Sequence, residues 1–176
     1  VAVYLWDAEN RLIKVTYSAG DYSQFAYEAQ GSIGRVVETA ANTIVDTKIL
    51  VRAEGKICEE RDINSVTVKK FSNYGQDTTS SKYFYSRDNL GSISELTDNS
   101  GSRVSQYSYG MFGEVFQVLP GPQADFQYAG TYFHTRSKLN LATYRVYNAN
   151  IARWLSRDPV GENAGTNLYC YANNRP

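Results

Sequence analysis

Fifteen of the 176 residues are tyrosine, and they gather in short stretches that end at Gly, Asn or Asp. A flat aromatic ring on a pleated surface packs against its cross-strand neighbour and keeps its hydroxyl in water, so such stretches favour strands over helices. Gly and Asn take the positive φ of a tight turn, and Asp accepts hydrogen bonds from turn amides. The expected class is therefore all-β, built of antiparallel hairpins.

Read in order, Ala2 to Tyr17 forms a hairpin that turns at Asp7-Ala8-Glu9-Asn10. The spacing of four from aromatic to turn residue in Trp6/Asn10 returns at Tyr27/Gly31, Phe71/Gly75, Tyr85/Asn89 and Tyr109/Gly113, which points to a stacked repeat of roughly 20 residues. Thr43 to Val51 and Ser65 to Phe71 carry the β-branched residues of two further hairpins, although Val36 to Asn42 has room for a short helix. Gly55 and the charged run Glu59-Glu60-Arg61-Asp62 read as turns, Lys69-Lys70 as an exposed face, and Tyr74 to Lys82 as a polar loop. Asn99-Ser100-Gly101 supplies another hairpin turn. Pro120 and Pro122 cannot donate ladder hydrogen bonds, so residues 119–125 read as a linker between a hairpin strip, 1–118, and a terminal segment, 126–176. Within that last segment an aromatic pattern runs into Arg153-Trp154-Leu155-Ser156 and turns at Arg157-Asp158-Pro159-Val160-Gly161. A second aromatic strand follows at Asn167 to Tyr171 and stops at Asn173-Asn174-Arg175-Pro176.

The terminal segment resembles the core-associated C-terminal region of the RHS/YD-repeat family. The residues that carry the likeness are Phe126, Gly130, Leu141, Tyr144-Arg145, Tyr147, Arg153-Trp154-Leu155-Ser156, Asp158-Pro159, Gly161, Asn167-Leu168-Tyr169, Tyr171 and Asn173-Asn174. Trp6-Asp7-Ala8-Glu9-Asn10-Arg11-Leu12 is similar to the YD-repeat signature, and Lys82 to Val118 follows a family run through Asn89-Leu90-Gly91-Ser92 and Leu96-Thr97-Asp98. The resemblance implies a curved sheet or partial β-shell closed by a C-terminal plug, from a bacterial protein secreted or displayed at the cell surface. Its implied partners are the rest of the shell and a C-terminal toxin. It also implies an aspartyl-type self-cleavage that uses Asp158, with Arg157 as its basic neighbour and a second Asp further on. Two carboxylates that share a proton can divide the roles of base and acid. The chain offers no second motif of that kind after Asp158, only Glu162 on the same turn, so the site is read as incomplete here.

Other functions are constrained by the rest of the sequence. Acidic and basic residues balance at 18 each, which removes electrostatic attraction as a reason to expect nucleic acid or membrane partners. No apolar run reaches the roughly 18 residues of a membrane helix. His134 is the single histidine, so a site needing several imidazoles is excluded, and it reads as a surface or turn residue. Glycines stand singly and make no phosphate loop, and neither a metal nor a cofactor is expected. Cys58 and Cys170 read as two packed thiols or one disulfide. Arg153, Trp154 and Tyr169 offer stacking surfaces, and the rival to the toxin-shell reading is a small cell-surface module that contacts carbohydrate or protein through them. Open sheet edges would also let two copies pair.

Overall fold

The structure is a computed structural model and describes residues 2–172. Twelve strands follow one another as an antiparallel meander in which each pairs only with its sequence neighbours. They are β1 (Val3–Trp6), β2 (Leu12–Ser18), β3 (Asp21–Tyr27), β4 (Ile33–Ala40), β5 (Thr43–Ala53), β6 (Lys56–Arg61), β7 (Thr67–Ser72), β8 (Gly75–Thr78), β9 (Lys82–Arg87), β10 (Ile93–Thr97), β11 (Arg103–Tyr109) and β12 (Val115–Leu119). A second, four-stranded meander holds β13 (Tyr132–His134), β14 (Leu139–Leu141), β15 (Val146–Asn148) and β16 (Arg153–Trp154). No α-helix occurs among the described residues, and the large sheet does not close into a barrel.

One turn recurs along the whole chain. In it the amide of residue i donates to the carbonyl of i+4, and the amide of i+3 donates back to the carbonyl of i. It opens at Asp7, Glu28, Asp62, Asp88, Asp98, Gly110 and Gln127. The residue at i+3 has positive φ each time: Asn10, Gly31, Ser65, Gly91, Gly101, Gly113 and Gly130. Where the opener is Asp, its Oδ1 accepts the amides of i+2 and i+4, as at Asp7 (3.0 and 2.9 Å) and Asp88 (2.9 and 2.8 Å). A carboxylate thus satisfies the donors that a tight turn leaves free. Register shifts accompany these turns in most pairs of the large sheet. Such bulges deepen the twist and curve the sheet.

The curved sheet covers the terminal segment with one face. Leu12, Val15, Phe25, Ile33, Val36 and Leu50 share a buried cluster with Tyr132, Leu139, Leu141 and Val146 of the small sheet. Further along, Ile93, Leu96 and Tyr107 form a second cluster with Ala124, and Phe126 packs against both. The stretch expected as a linker is pinned in place. Pro122 O accepts from Ser105 Oγ at 2.6 Å and from Tyr107 OH at 3.1 Å, and the Tyr107 hydroxyl also accepts the Ala124 amide.

Several local expectations are corrected. Val36–Ala40 is strand, paired with β3 on one side and β5 on the other, and it buries Val36, Glu38 and Thr39. Glu59–Arg61 belongs to β6, where Arg61 and Lys69 pair with the glutamates, and only Asp62 opens a turn. Gly75–Thr78 is strand β8, with Gln76 buried as a hydrogen-bonding hub. Lys69 turns inward to Asp125 while Lys70 stays exposed. The turn after Tyr85 falls two residues later than expected, opening at Asp88. Asn167–Tyr171 forms no strand beyond a bridge between Arg153 and Cys170. Cys58 and Cys170 are both free, half-buried thiols. The stop at Asn173-Asn174-Arg175-Pro176 lies outside the described residues.

Candidate functional site

Asp158 opens a further version of the recurring turn. Its carbonyl accepts the Gly161 amide at 3.0 Å, its Oδ1 accepts the Val160 amide at 3.0 Å, and Gly161 has φ 68. The turn differs from the others in where its first amide is held: the Asp158 amide donates to Leu168 O, ten residues on, rather than to the carbonyl four residues on. Pro159 fits the second position of such a turn, where its fixed φ is already correct and no amide is needed.

The second carboxylate oxygen of Asp158 looks away from the turn. Oδ2 accepts from Arg145 Nη1 at 2.8 Å, and both side chains are four-fifths buried. The Arg145 guanidinium lies 4.1 Å from the ring centre of Trp154, a cation–π contact that fixes the plane of the fork. Trp154 in turn meets Tyr147 edge-on, and Tyr147 packs at 4.4 Å on Tyr171. Tyr147 is anchored by its hydroxyl, which donates to Phe112 O at 2.7 Å in the turn after β11. Asp158 is therefore aimed by a chain of packed groups that reaches back to the large sheet.

Arg157, the basic neighbour expected for Asp158, is exposed, and the arginine that bonds the carboxylate is Arg145. Tyr144-Arg145 is among the residues that carry the family resemblance, but nothing in the spacing of 13 residues marks Arg145 as the partner. Glu162 is exposed, and among the described residues no hydrogen bond joins it to Asp158. Trp154 is half-buried in its aromatic cluster, Tyr169 is more than a third exposed, and Arg153 is exposed on the edge strand β16. The Trp154 ring is occupied by Arg145, Tyr147 and Tyr171.

His134 is a correction. It is buried, its Nε2 donates to Glu38 Oε1 at 2.6 Å, and Ser137 Oγ lies 2.6 Å from Nδ1. Glu38 Oε2 accepts from Arg136 Nη1 at 2.8 Å and from Ser23 Oγ at 2.7 Å. Burial disfavours the charged carboxylate, but these hydrogen bonds outweigh it and hold Glu38 down at about 2. The histidine looked peripheral because its partner lies 96 residues away in sequence. No group of three or more potential metal ligands gathers among the described residues.

A long antiparallel meander that covers a packed terminal segment defines an all-β protein, and the proteins it is similar to include bacterial tRNA nucleases and toxins. No family model matches the chain. It is 26% identical over 187 residues to the tRNA nuclease WapA of Bacillus subtilis strain 168, an alignment covering 98% of this chain and 8% of that protein. It is 30% identical over 97 residues to double-stranded DNA deaminase toxin A of Burkholderia cenocepacia, covering 52% of this chain and 7% of the toxin. Its backbone superposes on part of the crystal structure of TcdB2-TccC3 with a TM-score of 0.75 at 20% identity, over 99% of this chain and 10% of that one. That last likeness shows a common fold. The chain spans less than a tenth of the length of WapA and of the deaminase toxin.

Proposed function

We propose that this chain is a wall strip of an RHS/YD-repeat toxin, one section of a β-shell that encloses and delivers a C-terminal toxic domain of a secreted or surface-displayed bacterial protein. The observation that carries the reading is that nearly the whole chain aligns within one short window of a tRNA nuclease many times longer. An uninterrupted meander with two open edges suits a wall that continues on either side.

Within that wall Asp158 supplies one half of a carboxylate pair for self-cleavage. Arg145 holds the Asp158 oxygen and sets its direction, and the turn amide of Val160 holds the other oxygen. A charge-assisted bond to a planar guanidinium fixes the direction in which a carboxylate points. The Asp158 carboxylate would take a proton from a water whose oxygen attacks the scissile carbonyl carbon, while a second, neutral carboxyl from the parent chain would protonate the amine that departs as the C–N bond breaks. Arg157 keeps its expected place beside the site as an exposed charge with no role in aiming it.

The test is to express the parent reading frame and follow release of the downstream polypeptide by intact mass. Asp158→Asn keeps the turn acceptor and should abolish release while the circular dichroism spectrum stays unchanged. Release at the normal rate from that variant sinks the carboxylate reading. The shell reading is tested separately by adding an external protease. The downstream domain should resist digestion in the parent and be degraded when residues 2–118 are deleted.

A further inference from the structure

Lys69 and Asp125 meet between the large sheet and the terminal segment, 56 residues apart in sequence, with Nζ 2.6 Å from Oδ1. Because a C–O bond is ~1.23 Å long, Nζ stands no farther than about 3.8 Å from the carboxyl carbon, close to the ~3–3.5 Å of a reacting pair. A second carboxylate is beside them. Glu60 is the direct cross-strand partner of Lys69, is 4% exposed, and places Oε1 3.9 Å from the same Nζ. From this geometry we infer that Lys69 and Asp125 condense to an intramolecular isopeptide bond, with Glu60 carrying the protons.

Each participant is held from behind. Tyr132 OH donates to Glu60 Oε2 at 2.8 Å, and Lys48 Nζ stands 3.8 Å from Oε1. The Asp125 amide donates to Gln76 Oε1, and the Asp125 carbonyl accepts the Phe133 amide at 2.8 Å. Gln76 is itself fixed by Tyr85 OH and by Gln123 O. Beside the pair, Phe71 meets Phe126 edge to face at 5.1 Å, and Phe126 meets Tyr132 in the same way. Among the described residues the buried Asp125 Oδ2 has no hydrogen-bond partner, so nothing there holds that oxygen against departure. With the Asp125 side chain 10% and the Lys69 side chain 25% exposed, the ion pair carries a desolvation cost, and an amide has no charge to desolvate.

The step balances within the protein. Glu60 takes a proton from the Lys69 ammonium, the amine lone pair attacks Asp125 Cγ, and a C–N bond forms as one C–O bond breaks. The departing oxygen collects two protons that began on Nζ, one after another by way of Glu60, and leaves as water. One positive and one negative charge cancel, no electron is lost or gained, and Glu60 ends as it began. The result ties β7 covalently to the segment that leads into β13.

Intact mass of the full chain, measured in denaturant after purification, tests this directly. The expected mass is one water molecule below that of the sequence, with a branched peptide joining Lys69 to Asp125 after protease digestion. Asp125→Ala should restore the full mass and remove the branch. Glu60→Gln should form the bond about a hundred-fold more slowly, the size of a lost acid–base group. Wild-type protein that keeps its full mass after long incubation in the folded state overturns the proposal, whatever the variants do. So does a water loss that maps to other residues. A Glu60→Gln protein that reacts at the normal rate overturns the part given to Glu60.

Discussion

Two glycines at the same place in the recurring turn separate strain from crowding. Gly101 has φ 79 and nothing within 4 Å of where a Cβ would stand. Gly113 has φ 89, and a Cβ there would lie 2.4 Å from the Tyr128 ring. Gly101→Ala then meets only the left-handed backbone penalty and should destabilise by ~1–2 kcal/mol, while Gly113→Ala adds overpacking of another ~1–3 kcal/mol. Urea unfolding of the two variants checks this. Equal losses would show that the Tyr128 ring gives way freely. Asn10 and Ser65 show that other residues occupy the position, so Gly101→Asn should recover part of the loss.

The small sheet is fastened to β4 by charges as well as by its apolar face. Glu38 on β4 accepts from His134 on β13 and from Arg136 in the turn after it, with Ser23 of β3 on the same carboxylate and Tyr17 stacked under Arg136. Its carboxyl is held down at about 2 against an ordinary 4.5. A depressed carboxyl stabilises the folded state fully above its unfolded value and loses that contribution as the pH falls through the folded value. Thermal unfolding should thus show stability draining away between about pH 4.5 and 2 in the native chain. Glu38→Gln should weaken that dependence, leaving the part that Asp7, Asp21, Glu59 and Asp98, also held below their ordinary values, contribute, and an unchanged pH profile would overturn the assignment. The sequence made the hairpins legible because their determinants are local: Asp7 with Asn10, and Asp98 with Gly101, are a few residues apart. It hid β8, whose Gly75-Gln76-Asp77-Thr78 has no apolar alternation and is strand only because Gln76 finds Tyr85 and Asp125. Likewise Asp158 was legible as a motif, whereas Arg145 and the partners of His134 and Lys69 depend on how the sheet curves back over the terminal segment.

At the scale of the molecule, the meander that makes the turns so regular leaves two strands with one neighbour each. On β1, Val3 and Leu5 are 65% and 53% exposed, and on β12, Phe116 and Val118 are both 59% exposed. Each pair stands two residues apart and so shares one face of its strand. A charged residue or proline usually guards such an edge, and here apolar stripes line both. In a continuous wall further strands of the same polypeptide would cover them. The isolated chain has no such cover, and backbone donors and acceptors along β1 and β12 can pair with those of a second copy. Purified on its own, it should therefore sediment as dimers or larger species that grow with concentration. The double variant Leu5→Lys, Val118→Lys places a charge in each stripe without touching the core, so it should sediment as a monomer with the same circular dichroism spectrum. A native chain that remains monomeric at high concentration would mean that the edges are protected by twist alone. The bulges between β1 and β2 and between β11 and β12 would then be sufficient to turn each edge away from a flat partner.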